Sequence, residues 1–479
     1  MIDGPSQPHS GKFQLTDPFV RTAFLDPPIG QVHVRIPRSL YLEMQADLTR
    51  PHPFADERVG FLSVTTSTSE GTVLILGVEY HVIPDDHYVD DPTVGARIGT
   101  PAIRSAIQQV ASSKRGIFHV HMHSHHAGVP RFSGTDRTEQ PQLVRAFQRI
   151  APAVPHGMLV LSQDQANAWI WLPETVEPIT AERLTIVGVP MTWAFPGTPK
   201  LCTPDQENLN ERYSRQSFLG PQAQHMIDSA RIGLVGLGGG GSHIAQQLAY
   251  VGFRSVRGFD GDTASDSNLN RLVNANPDDV RTNTAKTDIA RRPFTALGRD
   301  EDVFMYAGRW QDKPDVLRGC DIIFGCVDTF AARQELEVLC RRYAIPYIDI
   351  GMDVHCIEGH SPRMGGQVIL SMPGKPCFWC LGFLTPERMA QEAARYGDAG
   401  GRPQVVWPNG VLASTAVGIA VDLVTSWTGR SDSPIYLSYD GNHGTLSPHV
   451  RLRFLTPSPC DHYPLHELGD PRFRPLKAS

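Results

Sequence analysis

The segment RIGLVGLGGGGSHIAQQLAYVGF, residues 231–253, decides the fold of the C-terminal half of the chain. RIGLVG is typical of a short buried strand, and the glycine-rich run after it leads into a segment with the apolar spacing of a helix. Glycines let the backbone approach a phosphate closely, and the first turn of a helix offers unpaired N–H groups to an anion. The segment therefore predicts a nucleotide site. By itself this pattern fits a nicotinamide or flavin enzyme equally well.

Strands and helices continue to alternate after this segment. SVRGFD is predicted as the next strand and ends at Asp260, whose carboxylate is placed to hold a ribose hydroxyl. Residues 321–326 and 346–350 are predicted as further strands, with a helix over 330–343 between them. This alternation predicts an α/β fold with a Rossmann-like, doubly wound parallel sheet.

Length and composition indicate a soluble protein with more than one domain. A chain of 479 residues is too long for one ordinary core. Its formal net charge of −6, without a run of Lys and Arg, predicts no nucleic-acid partner. The N-terminus lacks the apolar core of a secretory signal, and the longest apolar stretch, residues 410–427, contains Asp422 and is predicted as a buried helix. We expect no membrane partner and a cytoplasmic location.

The N-terminal part has a different pattern of predicted strands and helices from the C-terminal half. Short β-rich runs alternate there with helical stretches such as 100–113, which predicts a compact α/β domain over residues 1–190. A segment rich in Pro, Gly and polar residues is predicted as a linker over 191–211. The second domain then covers residues 212–479.

Four histidines alternate in FHVHMHSHH, residues 118–126, and alternating side chains of a strand project from one face. Two imidazoles two residues apart can bind one cation. With a carboxylate from Asp136, His123 and His125 form a ligand set that leaves zinc one open position for water. His119 and His121 are interpreted as structural.

Such a zinc site needs a base for the proton of its water, and Glu57 is the candidate for this role. The Ser133 hydroxyl is placed to stabilise an oxyanion. The spacing resembles the JAMM (MPN or JAB) metallopeptidases, a family of deubiquitinases, whose pattern is a Glu followed much later by H-x-H, seven residues and S-x-x-D. His126 stands where that family usually has proline, and we expect it to change loop stiffness rather than ligation.

Further motifs surround the glycine-rich turn. RYSRQ at 212–216 precedes it, DSNLNR at 266–271 follows Asp260, and CVD at 326–328 ends a later strand. Together they resemble the E1-like superfamily, which includes ubiquitin-activating enzymes and the ThiF and MoeB adenylyltransferases of thiamin and molybdopterin synthesis. The resemblance covers nearly all of residues 212–460. It implies adenylation of a C-terminal carboxylate with ATP and Mg²⁺.

The resemblance also implies a role for each matching residue. Asp328 is implied to bind Mg²⁺, and Arg215 to reach the ATP of the neighbouring subunit in a homodimer. The residues implied to line the nucleotide are Gly236, Gly238, Gly239, Gly241, Asp260, Asp262, Asn268, Arg271 and Lys286. The implied substrate is a ubiquitin-like protein with a Gly-Gly tail, and an E2-like conjugating enzyme is a further expected partner.

A second, structural zinc site is predicted in the C-terminal half. Cys377 and Cys380 have the C-x-x-C spacing that puts two thiolates on one tetrahedral zinc. The family's second cysteine pair usually follows the last strand, where this chain has Cys460 and, two residues later, His462. We interpret His462 as the fourth ligand.

The chain departs from many relatives by the absence of a cysteine between Leu381 and Leu412, the crossover stretch that often carries the catalytic thiol. This puts a thioester at that loop in doubt. Cys356 is a substitute or, more simply, a bystander. Transfer of the acyl-adenylate directly to a conjugating partner or to a sulfur donor is the other route.

The main hypothesis is therefore a fusion that processes and activates a ubiquitin-like modifier, similar to those of bacterial conjugation operons, some of them linked to phage defence. One alternative keeps both sites but activates a sulfur-carrier protein for thiocarboxylate formation. Two others are a nicotinamide-dependent oxidoreductase, which leaves Asn268, Arg271 and RYSRQ unexplained, and a scaffold that binds the modifier without catalysis, which has no need of Glu57 or Asp328.

Overall fold

The computed structural model describes residues 31–51, 56–124, 127–194, 211–356, 358–394, 403–455 and 460–470. Within these residues the chain forms two sheets, one of nine strands in the N-terminal half and one of eight strands in the C-terminal half. The first sheet has an apolar cluster that contains residues of its own half, whereas the largest cluster, around the second sheet, also includes Val187, Val189 and Trp193 of the first half.

The first sheet has the strand order β7-β6-β5-β4-β2-β3-β1-β8-β9. Its strands are β1 (Gln31–Pro37), β2 (Val59–Ser69), β3 (Thr72–Val82), β4 (Gly116–Met122), β5 (His156–Leu161), β6 (Ala166–Trp171), β7 (Ile179–Thr180), β8 (Arg183–Val187) and β9 (Thr192–Ala194). Its helices are α1 (Arg38–Leu48), α2 (Thr100–Ser113) and α3 (Gly134–Ile150). Helix α2 has the bounds that the sequence predicts. Strand β9 takes up the first residues of the predicted linker, and residues 195–210 lie outside the described part of the chain.

Alternation along β2 explains how the helices cover this sheet. Leu62 and Val64 belong to the cluster that contains the buried face of α1, whereas Val59 and Phe61 belong to the cluster that contains α2. Strand β2 pairs antiparallel with β4, with Val59 opposite His121. This register brings the residues just before β2 close to those just after β4.

The second sheet has the order β12-β11-β10-β13-β14-β15-β16-β17. Its strands are β10 (Arg231–Val235), β11 (Ser255–Asp260), β12 (Asp302–Ala307), β13 (Ile322–Gly325), β14 (Tyr347–His355), β15 (Arg363–Ser371), β16 (Ile435–Asp440) and β17 (Thr445–Pro448). Strands β10 to β14 are parallel, and β15 to β17 extend the sheet antiparallel. The Rossmann-like part is thus the five-stranded half of a mixed sheet.

The helices of this half are α4 (Ala223–Ser229), α5 (Gly239–Val251), α6 (Pro277–Arg281), α7 (Lys286–Ala296), α8 (Pro314–Arg318), α9 (Phe330–Arg342), α10 (Pro386–Ala394) and α11 (Val406–Thr425). Helix α11 is the apolar helix that the sequence predicts, and it packs against α5 and β14. Among the described residues it alone is long and apolar enough to cross a membrane, but 67% of its apolar window is buried inside the protein.

Buried charges join the two halves. The Arg35 guanidinium donates to three main-chain carbonyls of the C-terminal half at 2.9–3.0 Å. Asp321 in the C-terminal half is buried, accepts a 2.6 Å hydrogen bond from Arg183 and lies 4.0 Å from Arg35. Removal of one partner from a buried ion pair of this kind strongly destabilises the folded protein, because the other charge then stays buried without compensation.

The segment 460–470 adds a second connection between the halves, which we call the strap. Its Asp470 donates through the main-chain N–H to the Thr66 carbonyl at 2.9 Å and accepts from the Ser67 hydroxyl at 2.7 Å, both on β2. The same carboxylate accepts from Tyr343 of the C-terminal half at 2.6 Å. Leu465 packs against the apolar clusters of both halves. The strap therefore touches both domains at once.

Candidate functional site

The glycine-rich turn joins the end of β10 to the start of α5. Gly236 has a φ of +87°, and a Cβ at this position would lie 2.4 Å from the Cys326 carbonyl oxygen. A Cβ on Gly241 would lie 1.9 Å from the Gly236 carbonyl oxygen, so the turn and the helix are in direct contact. At Gly238, the residue before α5, no described atom lies within 4 Å of the Cβ position. The turn is therefore open where the helix N-terminus begins, as an anion site requires.

Asp260 lies at the end of β11, beside this turn. Its carboxylate accepts hydrogen bonds from the N–H groups of Leu237 at 2.6 Å and Asp262 at 2.8 Å. Burial raises the pKa of Asp260, and the charge of nearby Lys286 opposes this rise. Lys286, the first residue of α7, donates to the Asp262 carboxylate at 2.7 Å. The structure thus brings these two carboxylates and one ammonium group together at one edge of the sheet.

Arg271 and Asn268 follow Asp260 in a compact turn. The Asn268 side chain accepts from the Ser265 N–H at 3.2 Å and so closes this turn. The Arg271 side chain donates to the Ser267 carbonyl, and its Cδ lies 3.4 Å from the Cβ position of Gly239. The Arg271 side chain therefore lies against the glycine-rich turn, where a phosphate would meet it.

Asp328 is exposed in the connection between β13 and α9. Because β13 pairs with β10, this connection lies beside the glycine-rich turn. Arg333 donates to the Val327 carbonyl at 2.7 Å and pairs with buried Asp349. Glu392 of α10 accepts hydrogen bonds at 2.8 and 3.0 Å from the first two N–H groups of α9. The chain is thus held on both sides of Asp328.

Arg215 lies exposed on the short 3-10 turn Ser214–Leu219, before α4. Its predicted role concerns a neighbouring subunit and stays a prediction.

These residues fit a nucleoside triphosphate with a divalent cation. The helix N-terminus, Arg271 and Lys286 offer donors and positive charge to phosphates, and Asp328 offers a hard oxygen ligand of the kind that Mg²⁺ prefers.

Four sulfur and nitrogen donors converge in the second candidate site. The ligand atoms of Cys377, Cys380, Cys460 and His462 all lie within 4.8 Å of one another. Cys380 is 3.6 Å from Cys377 and 3.7 Å from Cys460, and the His462 Nδ1 is 3.4–3.5 Å from two of the sulfurs. Ligands of a tetrahedral zinc with bonds of about 2.0–2.3 Å lie roughly 3.3–3.8 Å apart, so this quartet fits zinc. The hydrogen bond between the two thiols lowers the pKa of Cys460 and raises that of Cys377, so Cys460 is the more acidic member of the pair.

The third candidate site lies at the end of β4. This strand ends at Met122, so of the four alternating histidines His119 and His121 are on the strand, His123 follows it, and His125 lies outside the described residues. The His123 Nε2 is 3.8 Å from a Glu57 carboxylate oxygen. The structure therefore brings together Glu57 and His123, which the sequence separates by 65 residues.

Asp136 and Ser133 begin α3 beside these residues. Ser133 is the N-cap of α3, and it donates to the Asp136 carboxylate through its N–H at 2.8 Å and its hydroxyl at 2.7 Å. The Asp136 Oδ2 lies 3.7 Å from the Nε2 of His121. The Ser133 hydroxyl thus orients Asp136 in this structure, while its predicted contact with an oxyanion stays a prediction. Imidazoles and carboxylates on a common site form a donor set that suits zinc.

The sequence analysis assigns no role in these sites to two residues, His121 and Arg333. His121 was interpreted as structural, yet its ligand atom lies within 4.8 Å of those of Glu57 and His123. The period-two row of histidines already placed His121 and His123 on one face. Arg333 gave no local signal, because its contact with Val327 depends on the helix packing against the sheet.

An open glycine-rich turn at the edge of a parallel sheet, next to a helix N-terminus, defines a nucleotide-binding α/β protein. The sequence profile of the ThiF family matches residues 211–459, which is more than half of the chain. The chain belongs to the ThiF family.

Two sequence relatives agree with this assignment, and one solved structure is similar in part. The SAMP-activating enzyme E1 of Haloferax volcanii is 32% identical over 183 residues, which are 37% of this chain and 63% of that protein. The molybdopterin-synthase adenylyltransferase of Salmonella typhimurium is 30% identical over 190 residues, 38% of this chain and 71% of that protein. The crystal structure of E. coli MccB with ATP has 21% sequence identity and a TM-score of 0.41, and covers 50% of this chain and 71% of that chain. The chain thus spans less than two thirds of the Haloferax protein.

Proposed function

We propose that the C-terminal half uses ATP and Mg²⁺ to adenylate the C-terminal glycine of a small ubiquitin-like protein. The observation that carries the proposal is the placement of Asp328, Arg271 and Lys286 around an open glycine-rich turn, in a chain of the ThiF family. The names of the relatives, a SAMP-activating enzyme and a molybdopterin-synthase adenylyltransferase, support this class of substrate.

The proposed adenylation needs little covalent catalysis from the protein. The nucleophile is the carboxylate of the substrate's own tail, which attacks the α-phosphate while pyrophosphate leaves. Arg271, Lys286 and the N-terminus of α5 stabilise the charge that develops on the phosphates, and Asp260 holds the ribose. Asp328 would hold Mg²⁺, which would supply positive charge beside the attacked phosphate. A Gly-Gly tail suits this reaction because only a thin segment reaches the α-phosphate.

The acceptor of the activated glycine is a separate question. The sequence has no cysteine between Leu381 and Leu412, so we propose transfer to a thiol or sulfur donor on a partner. An E2-like enzyme is the first candidate. The alternative is a sulfur carrier that becomes a thiocarboxylate, which is supported by a third relative, the sulfur carrier protein ThiS adenylyltransferase of E. coli, 27% identical over 196 residues.

The proposal for the N-terminal half is a zinc peptidase that trims the modifier or removes it from its targets. It rests on the convergence of Glu57 and His123 at one end of the sheet, with Asp136 next to His121. Bound zinc would acidify a water molecule. Glu57 would take the proton from that water and deliver it to the departing amine.

The first experiment is ATP–pyrophosphate exchange by the full chain with a Gly-Gly-ended small protein. Asp328→Ala should lower exchange by at least about 100-fold, because the metal ligand acts on the transition-state charge. Glu57→Ala, a matched removal of a carboxylate in the other half, should leave exchange unchanged. Absence of exchange with every Gly-Gly-tailed protein, together with tight NAD binding, would favour the oxidoreductase alternative.

The same assay tests the proposed homodimer. If Arg215 serves the neighbouring subunit, a mixed dimer of Arg215→Ala and Asp328→Ala chains contains one site with both residues intact. Mixing two inactive variants should then restore a substantial fraction of activity. No recovery in a verified mixed dimer would show that Arg215 does not act across subunits.

A further inference from the structure

One buried arginine of the C-terminal half differs from the others in its charge balance. Seven arginines are buried in the described part of the chain, and six of them have a carboxylate oxygen within 4.0 Å: Arg35, Arg58, Arg183, Arg257, Arg333 and Arg341. Arg299 is the seventh. It is 5% exposed, and neither of its terminal nitrogens, Nη1 and Nη2, has a hydrogen-bond partner among the described residues.

A buried guanidinium without a counter-charge is costly for the folded protein. Arginine stays protonated inside proteins, so it does not escape this cost by losing its proton. Burial lowers the pKa of Arg299, and the like charge of Arg212 lowers it further. The face of the Tyr213 ring, whose centroid lies 4.7 Å from the guanidinium carbon, compensates part of the charge. A negatively charged oxygen acceptor would supply what the ring does not.

A second polar group without a partner lies beside this guanidinium. The Tyr213 side chain is buried, and its hydroxyl has no hydrogen-bond partner within the described ranges. Gly252 makes room for this hydroxyl, because its φ is +115° and a Cβ there would lie 2.9 Å from the Tyr213 oxygen. Buried polar groups of folded proteins are normally paired. Two kinds of donor therefore lie together here without a described acceptor for either.

This place is separate from the nucleotide site. Lys286 begins α7, and Arg299 follows the end of this helix, where its main-chain N–H donates to the Phe294 carbonyl at 2.9 Å. The 11 residues of α7 span about 16 Å. Gln216 of the RYSRQ segment donates to the Val251 carbonyl at 3.2 Å, at the end of α5 that is remote from the glycine-rich turn. Both helices thus separate the two places.

We propose that Arg299 and Tyr213 form a binding site for one small oxyanion, such as inorganic phosphate or a carboxylate. The planar guanidinium presents paired N–H donors that match two oxygens of such an anion, and the Tyr213 hydroxyl is a further donor. A bound oxyanion neutralises the buried charge and ties the RYSRQ segment, which carries Arg215, to the end of α7. The proposal does not depend on the proposed adenylation, because it uses no residue that lines the nucleotide or a metal.

The test measures hydrogen exchange of the full chain in phosphate and in chloride at equal ionic strength. Phosphate should slow the exchange of residues 212–219 in wild type. In Arg299→Met, which keeps a long apolar side chain without the charge, half-maximal protection should need at least about tenfold more phosphate. Arg291→Met removes an exposed arginine of the same helix that pairs with Asp300, and it should behave as wild type.

The glycine-rich turn provides an internal reference in the same experiment. Phosphate that binds there should slow the exchange of residues 236–241 equally in wild type and in both variants. The difference between the proteins at residues 212–219 therefore reports on the Arg299 site alone.

A second variant keeps the test decisive if Arg299→Met folds poorly. Tyr213→Phe leaves the ring beside the guanidinium and removes only the hydroxyl. It should raise the phosphate concentration for half-maximal protection about threefold or more, because one hydrogen bond to the anion is lost. Its exchange in chloride should stay close to that of wild type.

The sign of the change in stability is a separate readout. In chloride, Arg299→Met should unfold at a urea concentration no lower than that of wild type, because the variant no longer buries an uncompensated charge. In phosphate, wild type should gain stability and Arg299→Met should not. A large loss of stability of this variant in chloride would contradict the argument from charge balance.

Acetate in place of phosphate identifies the ligand. Protection by phosphate alone assigns the site to a phosphate group, and protection by acetate assigns it to a carboxylate. Exchange at residues 212–219 that is the same in chloride and in both oxyanions would overturn the site. The same phosphate dependence in Arg299→Met as in wild type would overturn it as well, and the Tyr213 ring would then be the partner of the guanidinium.

Discussion

Replacement of His156 by Gln should make the N-terminal half less sensitive to mild acid. The His156 ring is fully buried at the start of β5. Its Nδ1 accepts from the Ile117 N–H at 3.3 Å, and its Nε2 faces the Ala151 carbonyl at 3.0 Å and donates to it. Only the neutral ring satisfies both partners, because a protonated Nδ1 would turn a second donor toward the Ile117 N–H.

The magnitude follows from the change in pKa. Burial lowers the pKa of His156 from 6.5 to about 4. As the pH falls, the unfolded chain takes up this proton near pH 6.5, while the folded chain does so only near pH 4. The stabilisation is therefore complete above pH 6.5 and is lost as the pH falls toward 4. At pH 5 the loss is about 2 kcal/mol, a factor of roughly 30 in the unfolding equilibrium.

The assay is pulse proteolysis in urea at pH 7.5 and pH 5, with cleavage of the N-terminal half followed by mass spectrometry. Wild type should lose about 2 kcal/mol more than His156→Gln between the two pH values. Other buried histidines contribute equally to both proteins and cancel in the comparison.

The control is Phe147→Leu. The Phe147 ring centroid lies 5.9 Å from that of His156, and the side chain has no titratable group. It should cost about 1–3 kcal/mol, nearly the same at both pH values. If His156→Gln and wild type lose equal stability on acidification, the argument from the neutral ring is wrong.

Three further predictions concern the joint and the metal sites. Asp321→Ala should destabilise the contact between the halves by about 3–5 kcal/mol, because Arg183 stays buried without its partner; a urea midpoint equal to that of wild type would contradict this. Gly95→Ala places a Cβ 3.1 Å from the Glu57 carboxyl carbon and should lower the turnover of the proposed peptidase by about tenfold without loss of zinc. Gly134→Ala, with open space around its Cβ, should leave turnover unchanged. Equal turnover of the two variants would refute the argument. Chelation of the zinc predicted at the Cys377 cluster should raise hydrogen exchange throughout the strap, and unchanged exchange would show that the strap holds without metal.

The sequence was most informative where function and backbone geometry depend on local spacing. The glycine-rich turn, Asp260 and the alternation of strands and helices predicted the Rossmann-like half, and the sheet has the expected parallel core. The short C-x-x-C spacing of Cys377 and Cys380 predicted a metal site. Cys460 and His462 lie about eighty residues away and were placed with them through the family resemblance rather than through spacing.

Long-range pairing was the part that sequence could not supply. Period two in the histidine row continues past Met122, but the strand does not, since the end of a strand depends on its neighbours. The approach of Glu57 to His123 comes from the register of β2 and β4, which no local pattern fixes. The antiparallel strands β15 to β17 and the contact of Arg35 with the other half depend equally on tertiary packing.

The buried contact between the two halves has a consequence for how a substrate would pass between the two proposed sites. Arg35 and Asp321 lock the halves from the inside, and the strap holds them from the outside. A large swing of one half against the other would expose these charges and break the strap's hydrogen bonds. The two proposed sites therefore keep a fixed separation, and under the proposed function a modifier that uses both sites would have to dissociate from one and diffuse to the other.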